Sequence, residues 1–274
     1  MYLQYWGLSE IPFKNTPDPK FIFYSKEHEE ALVRLLYVVT EGRGGLLLTG
    51  EYGCGKTLLS RVFLKELNES KFLVALITNP NLTDVDFLRE VLYQLGVEVN
   101  TSVKVELLHE MDKLVLKTHQ SGRSIVVIVD EAQQVNDGST FEEIRLLLNY
   151  QQYDEFMVSL VLMGQPELRE KVAGIPQLKQ RLGMRYHLQA LNLEECHRYI
   201  DHRLDVAGQT RLIFQDEAKD AVFEHSKGTP REINNICDMA LLTGFGYNSA
   251  SIDASLIQMV VKDMSLETAE SSNG

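Results

Sequence analysis

Residues 50–57 read Gly-Glu-Tyr-Gly-Cys-Gly-Lys-Thr, which matches the pattern G-x-x-x-x-G-K-[ST]. Glycines at this spacing let successive backbone N–H groups turn into one concavity, and the helix expected next adds the positive end of its dipole. Lys56 can then reach terminal phosphates, and the Thr57 hydroxyl can ligate Mg²⁺. The apolar run at 46–48 predicts the buried strand that such a loop follows. The expected ligand is a nucleoside triphosphate bound with Mg²⁺.

We expect the nucleotide to contact the loop and the start of the next helix. The residues in this set are Gly50, Gly53, Cys54, Gly55, Lys56, Thr57 and Leu58. Cys54 could sense oxidants, but a small residue tolerated in the loop is the simpler interpretation, because thiol reactivity needs exposure and a lowered pKa.

A pair of carboxylates ends the apolar strand predicted at 125–129, in the motif Ile-Val-Asp-Glu-Ala-Gln at 128–133. Asp130 can hold Mg²⁺, usually through water, and Glu131 can orient and polarise an attacking water. The alternative is that both carboxylates only cap the next segment. The phosphate loop upstream favours the catalytic interpretation, because ligands in parallel sheets bind at the carboxyl ends of the strands.

Gln165 follows the next predicted strand, and its amide could reach a γ-phosphate or the attacking water. The alternative is an N-cap for a helix beginning at Pro166, although glutamine is a poor cap.

Three arginines could neutralise phosphate charge. Arg181, at the far edge of the predicted sheet, could project into the nucleotide of a neighbouring subunit, whereas Arg185 fits a structural role or a second contact. A solvated basic face is the alternative for both. Arg231 lies in the first turn of a predicted helix, where a positive charge opposes the helix dipole, so a phosphate is its expected partner.

Composition sets limits on the class of protein. The chain has 274 residues, 44% hydrophobic and 24% charged, with a formal net charge of -12, which disfavours extensive wrapping of nucleic acid. Three widely spaced cysteines argue against a disulfide framework and a zinc site. With no long apolar run and no signal-peptide layout, we expect no transmembrane segment and a cytoplasmic protein. Peripheral attachment at the inner membrane stays open.

Hydrophobic periodicity predicts how the motifs are positioned. Near-continuous apolar strands alternate with helices, which indicates a parallel sheet covered on both faces. Beyond 192 only helical periods occur, so a small all-helical lobe should follow. The strands are expected at 45–49, 72–77, 125–129, 156–163 and 185–188. The helices are expected at 26–41, 57–67, 83–95, 103–119, 139–153, 166–173, 176–182, 193–206, 216–227, 230–243 and 253–264.

Taken together, these residues resemble the AAA+ ATPases of the ExeA/GspA-like branch over nearly the whole chain. The motifs that carry the resemblance are Trp6-Gly7-Leu8, Pro12-Phe13, Thr16-Pro17-Asp18-Pro19, GEYGCGKT at 50–57, VDEAQ at 129–133, Gly164-Gln165-Pro166-Glu167-Leu168, Gln180-Arg181-Leu182 and GTPREIN at 228–234. Some relatives continue through a transmembrane segment into a peptidoglycan-binding domain, and that activity is not carried over to these residues.

The resemblance implies a three-layer αβα P-loop NTPase with a five-stranded parallel sheet and a C-terminal helical lid. The implied domains are an N-terminal arm packed on the nucleotide site at 1–25, the ATPase domain at 26–190, the lid at 191–264 and a flexible tail at 265–274. It further implies ATP as the nucleotide, an adenine pocket lined by the arm with Phe13, a sensor at Gln165, an arginine finger near Arg181 and a second sensor at Arg231.

Three functional hypotheses follow. The first is an ATPase that forms a homo-oligomeric ring or filament and drives or regulates a protein assembly in secretion, pilus or exopolysaccharide export. The second is a DNA-associated regulator like the TnsC-type transposition ATPases, which the acidic charge disfavours. The third is a nucleotide-gated switch with little turnover.

Overall fold

The computed structural model describes residues 2–152 and 155–271, with only the backbone for 265–271. Its helices are α1 (Tyr2–Trp6), α2 (Lys26–Thr40), α3 (Lys56–Glu66), α4 (Asp84–Gln94), α5 (Lys104–Gln120), α6 (Gly138–Leu147), α7 (Glu167–Ala173), α8 (Pro176–Arg181), α9 (Leu193–Val206), α10 (Asp216–Ser226), α11 (Pro230–Gly246) and α12 (Ala254–Ser271). Its strands are β1 (Gly45–Gly50), β2 (Phe72–Ile77), β3 (Ser124–Val129), β4 (Gln151–Gln152), β5 (Glu155–Phe156), β6 (Val158–Gly164) and β7 (Met184–Leu188).

The chain folds into two compact units. We call Lys26–Tyr52 with Leu59–Leu188 the sheet unit. The helical unit comprises the described residues of Met1–Ser25, Gly53–Leu58 and Gln189–Gly274. Helix α3 contributes residues to both units.

The sheet unit is built on a five-stranded sheet in the order β2-β3-β6-β1-β7. Every pairing in this sheet is parallel. The central strands β1 and β6 are buried along their whole length, which explains why both read as continuous apolar runs. The predicted five-stranded parallel sheet is therefore confirmed.

Helices cover both faces of this sheet. On one face, α4 and α5 supply apolar side chains to a core that includes Leu47 of β1. Leu46 and Leu48 are also buried and point to the opposite face, because side chains alternate along a strand. Helix α2 packs against β1, β6 and β7. The three-layer α/β/α arrangement expected from the sequence is confirmed.

The segment between α6 and β6 differs from the prediction of one helix at 139–153. Helix α6 begins one residue earlier, at Gly138, because Asp137 is the N-cap and accepts a hydrogen bond from the Ser139 N–H at 2.9 Å. The helix ends at Leu147, and the polar residues beyond it supply β4, which pairs with β5 in an antiparallel hairpin. The predicted helix end at 153 lies outside the described residues.

The helical unit has its own apolar core, to which the N-terminal segment contributes. Trp6 is fully buried, and its Nε1–H donates to the Leu241 carbonyl at 2.9 Å. The N-terminal arm implied at 1–25 begins with a short helix, because Tyr2–Trp6 is helical and packs on α11. The predicted packing of this arm on a nucleotide site stays a prediction.

Helix α11 continues beyond its predicted end at 243, to Gly246. A Cβ at Gly244 would approach Trp6 Cζ2 to 2.9 Å, so this glycine makes room for the indole rather than ending the helix. Helix α12 also runs beyond its predicted end, with helical backbone to Ser271. The predicted tail therefore begins within this helix, and its last residues, 272–274, lie outside the described part of the chain.

Two further sequence expectations concern cysteines and membranes. Cys54, Cys196 and Cys237 are all buried, and none of the three forms a disulfide within the described part of the chain. Burial raises the pKa of Cys196 to about 12, which keeps this thiol protonated at neutral pH. Within the residues that the structure describes, no helix has the length and apolarity needed to cross a bilayer.

Candidate active site

Three of the predicted motifs follow strands that end at the same edge of the sheet. Strand β1 ends at Gly50, the first residue of the phosphate loop, and β3 ends immediately before Asp130. Strand β6 lies between β1 and β3, and Gln165 comes directly after it. The carboxyl edge of a parallel sheet is where this class of fold binds ligands.

Asp130 and Glu131 lie in a constrained turn at the end of β3. Asp130 is 3% exposed, its backbone N–H donates to the Ile77 carbonyl at 2.9 Å, and its Oδ1 accepts from the Glu131 N–H at 2.9 Å. Glu131 has φ 52 and ψ 35, a left-handed conformation that a glutamate adopts at a cost of about 1–3 kcal/mol. Such strain is concentrated at functional sites, which supports a role beyond capping for this carboxylate pair.

Gln165 is positioned through its backbone. Its N–H donates to Gln133 Oε1 at 3.1 Å. Helix α7 begins at Glu167 with Pro166 as its N-cap, and no side chain caps it. The capping alternative for Gln165 is therefore not observed, and its predicted contact with a γ-phosphate stays a prediction.

Gln133 has no role in the sequence-based site, although it stands in the motif that carries Glu131. Its Nε2–H donates to Glu131 Oε2 at 2.5 Å, while its Oε1 accepts from Gln165. The signal in the sequence was a glutamine two residues after the predicted catalytic glutamate, but this spacing does not reveal a contact with the end of β6. Gln133 is thus a site residue that the sequence reasoning missed.

The phosphate loop has the backbone that its glycines predict. Gly53 has φ +83 and Gly55 has φ +94, both in the left-handed region. Gly50 is needed for a different reason, because a Cβ there would lie 2.7 Å from the Leu188 carbonyl oxygen on β7. Lys56 begins α3 and is 5% exposed, and Cys54 is fully buried. A buried cysteine fits the simpler interpretation of a small residue that the loop tolerates.

Within the helical unit, the loop contacts the first turn of α11. The Arg231 N–H donates to the Gly53 carbonyl at 3.3 Å. A Cβ at Gly53 would approach Arg231 Cβ to 2.7 Å and Thr229 Cγ2 to 3.1 Å. The structure therefore brings together two predicted site residues that are far apart in the sequence.

Phe13 lies in the core of the helical unit, 2% exposed, with its ring centroid 6.0 Å from that of Phe214. The segment around it is held by Arg203 of α9, a second residue without an assigned role in the sequence reasoning. Arg203 is 4% exposed and donates to the Pro12 carbonyl at 2.5 Å and to the Lys14 carbonyl at 3.1 Å. The predicted contact of Phe13 with adenine stays a prediction.

Arg181 and Arg185 differ in their surroundings. Arg181 is the last residue of α8, and its Nη1 is buried without a hydrogen-bond partner among the described residues. Arg185 on β7 is exposed, and its Nη2 donates to the Lys179 carbonyl at 2.6 Å. The contact with Lys179 is consistent with a structural role for Arg185, and the finger role of Arg181 stays a prediction.

Comparisons with known proteins agree with this geometry. A family model described as an AAA domain matches residues 39–172. General secretion pathway protein A of Aeromonas hydrophila is 39% identical over 256 residues, which cover 92% of this chain and 46% of that protein. The chain thus spans less than half the length of this relative.

Solved structures with a similar fold include the ORC2 protein of Aeropyrum pernix in its ADPNP-ADP complexes, with a TM-score of 0.64 and 18% identity, covering 87% of this chain and 67% of that one. The RuvB Holliday junction branch migration motor of Thermotoga maritima has a TM-score of 0.59 and 16% identity, covering 87% and 69%. At these identities the likeness concerns the fold.

The AAA domain match over residues 39–172 and the shared fold agree with each other. Together with the similarity to general secretion pathway protein A over 92% of this chain, they support the resemblance to ExeA/GspA-like AAA+ ATPases that the motifs carry.

Proposed function

We propose that the chain binds ATP with Mg²⁺ and hydrolyses it. The observation that carries this proposal is the placement of Asp130 and Glu131 after β3, at the same sheet edge where β1 leads into the phosphate loop. An AAA domain match over residues 39–172, which include both motifs, supports it.

The residues present fit a magnesium nucleotide. Carboxylate and hydroxyl oxygens are the ligands that Mg²⁺ prefers, and Asp130 and Thr57 offer one of each. The left-handed glycines Gly53 and Gly55 suit a loop whose N–H groups receive phosphate oxygens. When bound, Mg²⁺ supplies electrostatic stabilisation of the phosphate charge.

The protein's own residues would then act in distinct ways. Lys56 holds the terminal phosphates, Glu131 polarises the attacking water, and Gln165 orients the water or the γ-phosphate. Arg231 on α11 acts as a second sensor that contacts a phosphate of the nucleotide. Arg181 completes the site of a neighbouring subunit. These roles follow the motifs and stay predictions for each residue.

The biological role proposed is a nucleotide-driven homo-oligomer that regulates a protein assembly in export. The name of the Aeromonas relative supports a component of a secretion system as the partner. We expect a cytoplasmic location, with the inner membrane as a place of peripheral attachment. A DNA-associated regulator and a switch with little turnover are the alternatives. Turnover measured with and without DNA tests the first, and the turnover of the wild-type protein tests the second.

The test is steady-state ATP hydrolysis by the wild-type chain and by Glu131→Gln. Removing the carboxylate that polarises water should lower kcat by at least about 100-fold. Binding of a fluorescent ATP analogue should be retained, and size-exclusion chromatography in ATP should show a stabilised assembly.

Glu66→Gln, an exposed glutamate at the end of α3, is the matched control and should leave turnover unchanged. Wild-type protein that binds ATP without turning it over, even as an oligomer, would support the switch. Full turnover by Glu131→Gln would show that another group is the catalytic carboxylate.

A further inference from the structure

The turn after β3 brings the Gln133 side chain between two strands. The 3₁₀ turn Ala132–Gln134 reverses the chain, so that Gln133 reaches back to Glu131 and across to the end of β6. Strands β3 and β6 pair in register, with Val129 opposite Leu162, so the residues after β3 lie beside those that end β6. Gln133 is therefore placed where the two strand ends meet.

The hydrogen bonds determine which way the Gln133 amide faces. The backbone N–H of Gln165 can only donate, so the atom 3.1 Å from it must be the amide oxygen. The amide nitrogen then faces Glu131 Oε2, to which it donates at 2.5 Å. Both ends of the amide are matched to their partners, and a carboxylate in its place would turn an oxygen toward Glu131.

The end of β6 is shaped to admit this side chain. A Cβ at Gly164 would lie 2.5 Å from Gln133 Oε1 and 2.8 Å from Leu168 Cδ2. Any larger residue would therefore displace the glutamine or the leucine. Glycine at this position allows Gln133 to approach the backbone of the residue that follows.

Lys171 of α7 holds the backbone of the same turn. Its Nζ donates to the Gln133 carbonyl at 2.5 Å and to the Val135 carbonyl at 2.9 Å. The position of Gln133 is thus set by α7 and β6 as well as by its own turn.

We propose that Gln133 is a positioning residue that orients the Glu131 carboxylate and couples it to the backbone of Gln165. This inference rests on the proposed ATP hydrolysis, in which Glu131 polarises water. A shift of Gln165 on contact with the γ-phosphate would pull on the same amide that holds Glu131. The bridge therefore links the sensing residue to the catalytic carboxylate through one side chain.

The test compares Gln133→Glu and Gln133→Met with Gln134→Glu as the matched control, since Gln134 is exposed in the same turn. Gln133→Met removes the amide and should lower kcat for ATP about 10- to 100-fold, because a misplacement of about 1 Å can cost roughly 10²-fold. KM for ATP should stay within about threefold, because no contact with nucleotide is lost. Thermal melts would show that each variant is folded.

Gln133→Glu reverses one end of the contact. Its carboxylate can still accept from the Gln165 N–H, but it turns an oxygen toward Glu131 where the wild type offers an N–H donor. Its kcat should therefore fall at least as far as that of Gln133→Met, because repulsion is added to the lost hydrogen bond. Gln134→Glu adds the same charge to the same turn without facing Glu131 and should leave kcat unchanged.

The outcomes separate this inference from the proposed function. Wild-type protein that hydrolyses ATP, together with folded Gln133 variants of equal kcat, would overturn the positioning role alone. An equal loss of kcat in Gln134→Glu would also overturn it, by showing that any added charge in this turn lowers turnover. An inactive wild type would instead contradict the proposed hydrolysis.

Discussion

At the scale of residues, the features that matter most lie around Glu131. Its left-handed backbone is unusual for a glutamate, and its carboxylate is held by the Gln133 amide. Its own N–H is held by Asp130 Oδ1. A strained residue persists when its surroundings determine its conformation, and here both its backbone and its side chain have partners.

A residue-scale prediction concerns the arginine that completes a neighbouring site. Arg181→Ala should lower ATP turnover about 10³-fold, because an arginine finger contributes roughly 10³- to 10⁵-fold. Arg185→Ala is the matched control and should keep most of the activity, since the Arg185 guanidinium donates to the Lys179 carbonyl instead. The measurement is steady-state hydrolysis above the concentration at which the chain assembles.

Mixing variants tests whether Arg181 acts between subunits. Arg181→Ala and Glu131→Gln should each be inactive alone, yet random pairing in a mixed assembly gives about a quarter of the sites both an intact glutamate and an intact arginine. Recovery of activity on mixing would establish action in trans. If mixing restored no activity, and if Arg185→Ala lost as much ATP turnover as Arg181→Ala, the assignment of Arg181 as the arginine finger would be contradicted.

At the scale of elements, the loop before α11 determines where Arg231 lies. Gly228 has φ +75, and its carbonyl accepts from the Leu191 N–H at 3.0 Å. A Cβ at Gly228 would lie 1.8 Å from the Leu191 carbonyl oxygen. Backbone contact this close allows only glycine, so the loop fixes the start of α11 against the chain that precedes α9.

We expect Gly228→Ala to lower the free energy of unfolding by about 3 kcal/mol or more, because backbone strain and a clash with backbone act together. Gly96→Ala is a matched control, since Gly96 has φ +82 and a Cβ added there would meet nothing within 4 Å. That variant should lose only about 1–2 kcal/mol from strain. Equal losses in urea unfolding would show that the contact with Leu191 can relax.

At the scale of the whole molecule, charge is the property that bears most on partners. A net charge of -12 repels a polyanion unless basic residues are grouped locally. The fold is shared with proteins described as bound to DNA, such as Drosophila ORC, at 18% identity and a TM-score of 0.64. Proteins with the same fold can bind different ligands, so our expectation about DNA rests on the net charge.

Double-stranded DNA should therefore change the rate of ATP hydrolysis by less than about twofold at low salt. The measurement is steady-state turnover with and without DNA at two salt concentrations. Stimulation that fades as salt rises would favour the DNA-associated regulator over the export component, because release of counterions makes such binding salt-dependent.

The sequence by itself determined the class of fold and the identity of the main motifs. Apolar strands buried on both faces leave a continuous hydrophobic run, and a phosphate loop needs glycines and a Lys-Thr pair at set spacing. These are local requirements, so they can be read along one chain. The ends of α6, α11 and α12 were not predicted correctly from the sequence. Helix α6 ends before a pair of antiparallel strands, and α11 continues through Gly244 because Trp6 packs against that glycine.

Only the tertiary structure decided which side chains connect the motifs. The bridge from Glu131 through Gln133 to Gln165 depends on the pairing of β3 with β6 and on a left-handed residue in the turn. The contact between Gly53 and Arg231 likewise joins residues from distant parts of the chain. Such contacts arise when separate elements pack together. Hydrophobic periodicity predicts each helix or strand, but it does not tell which of them lie next to each other.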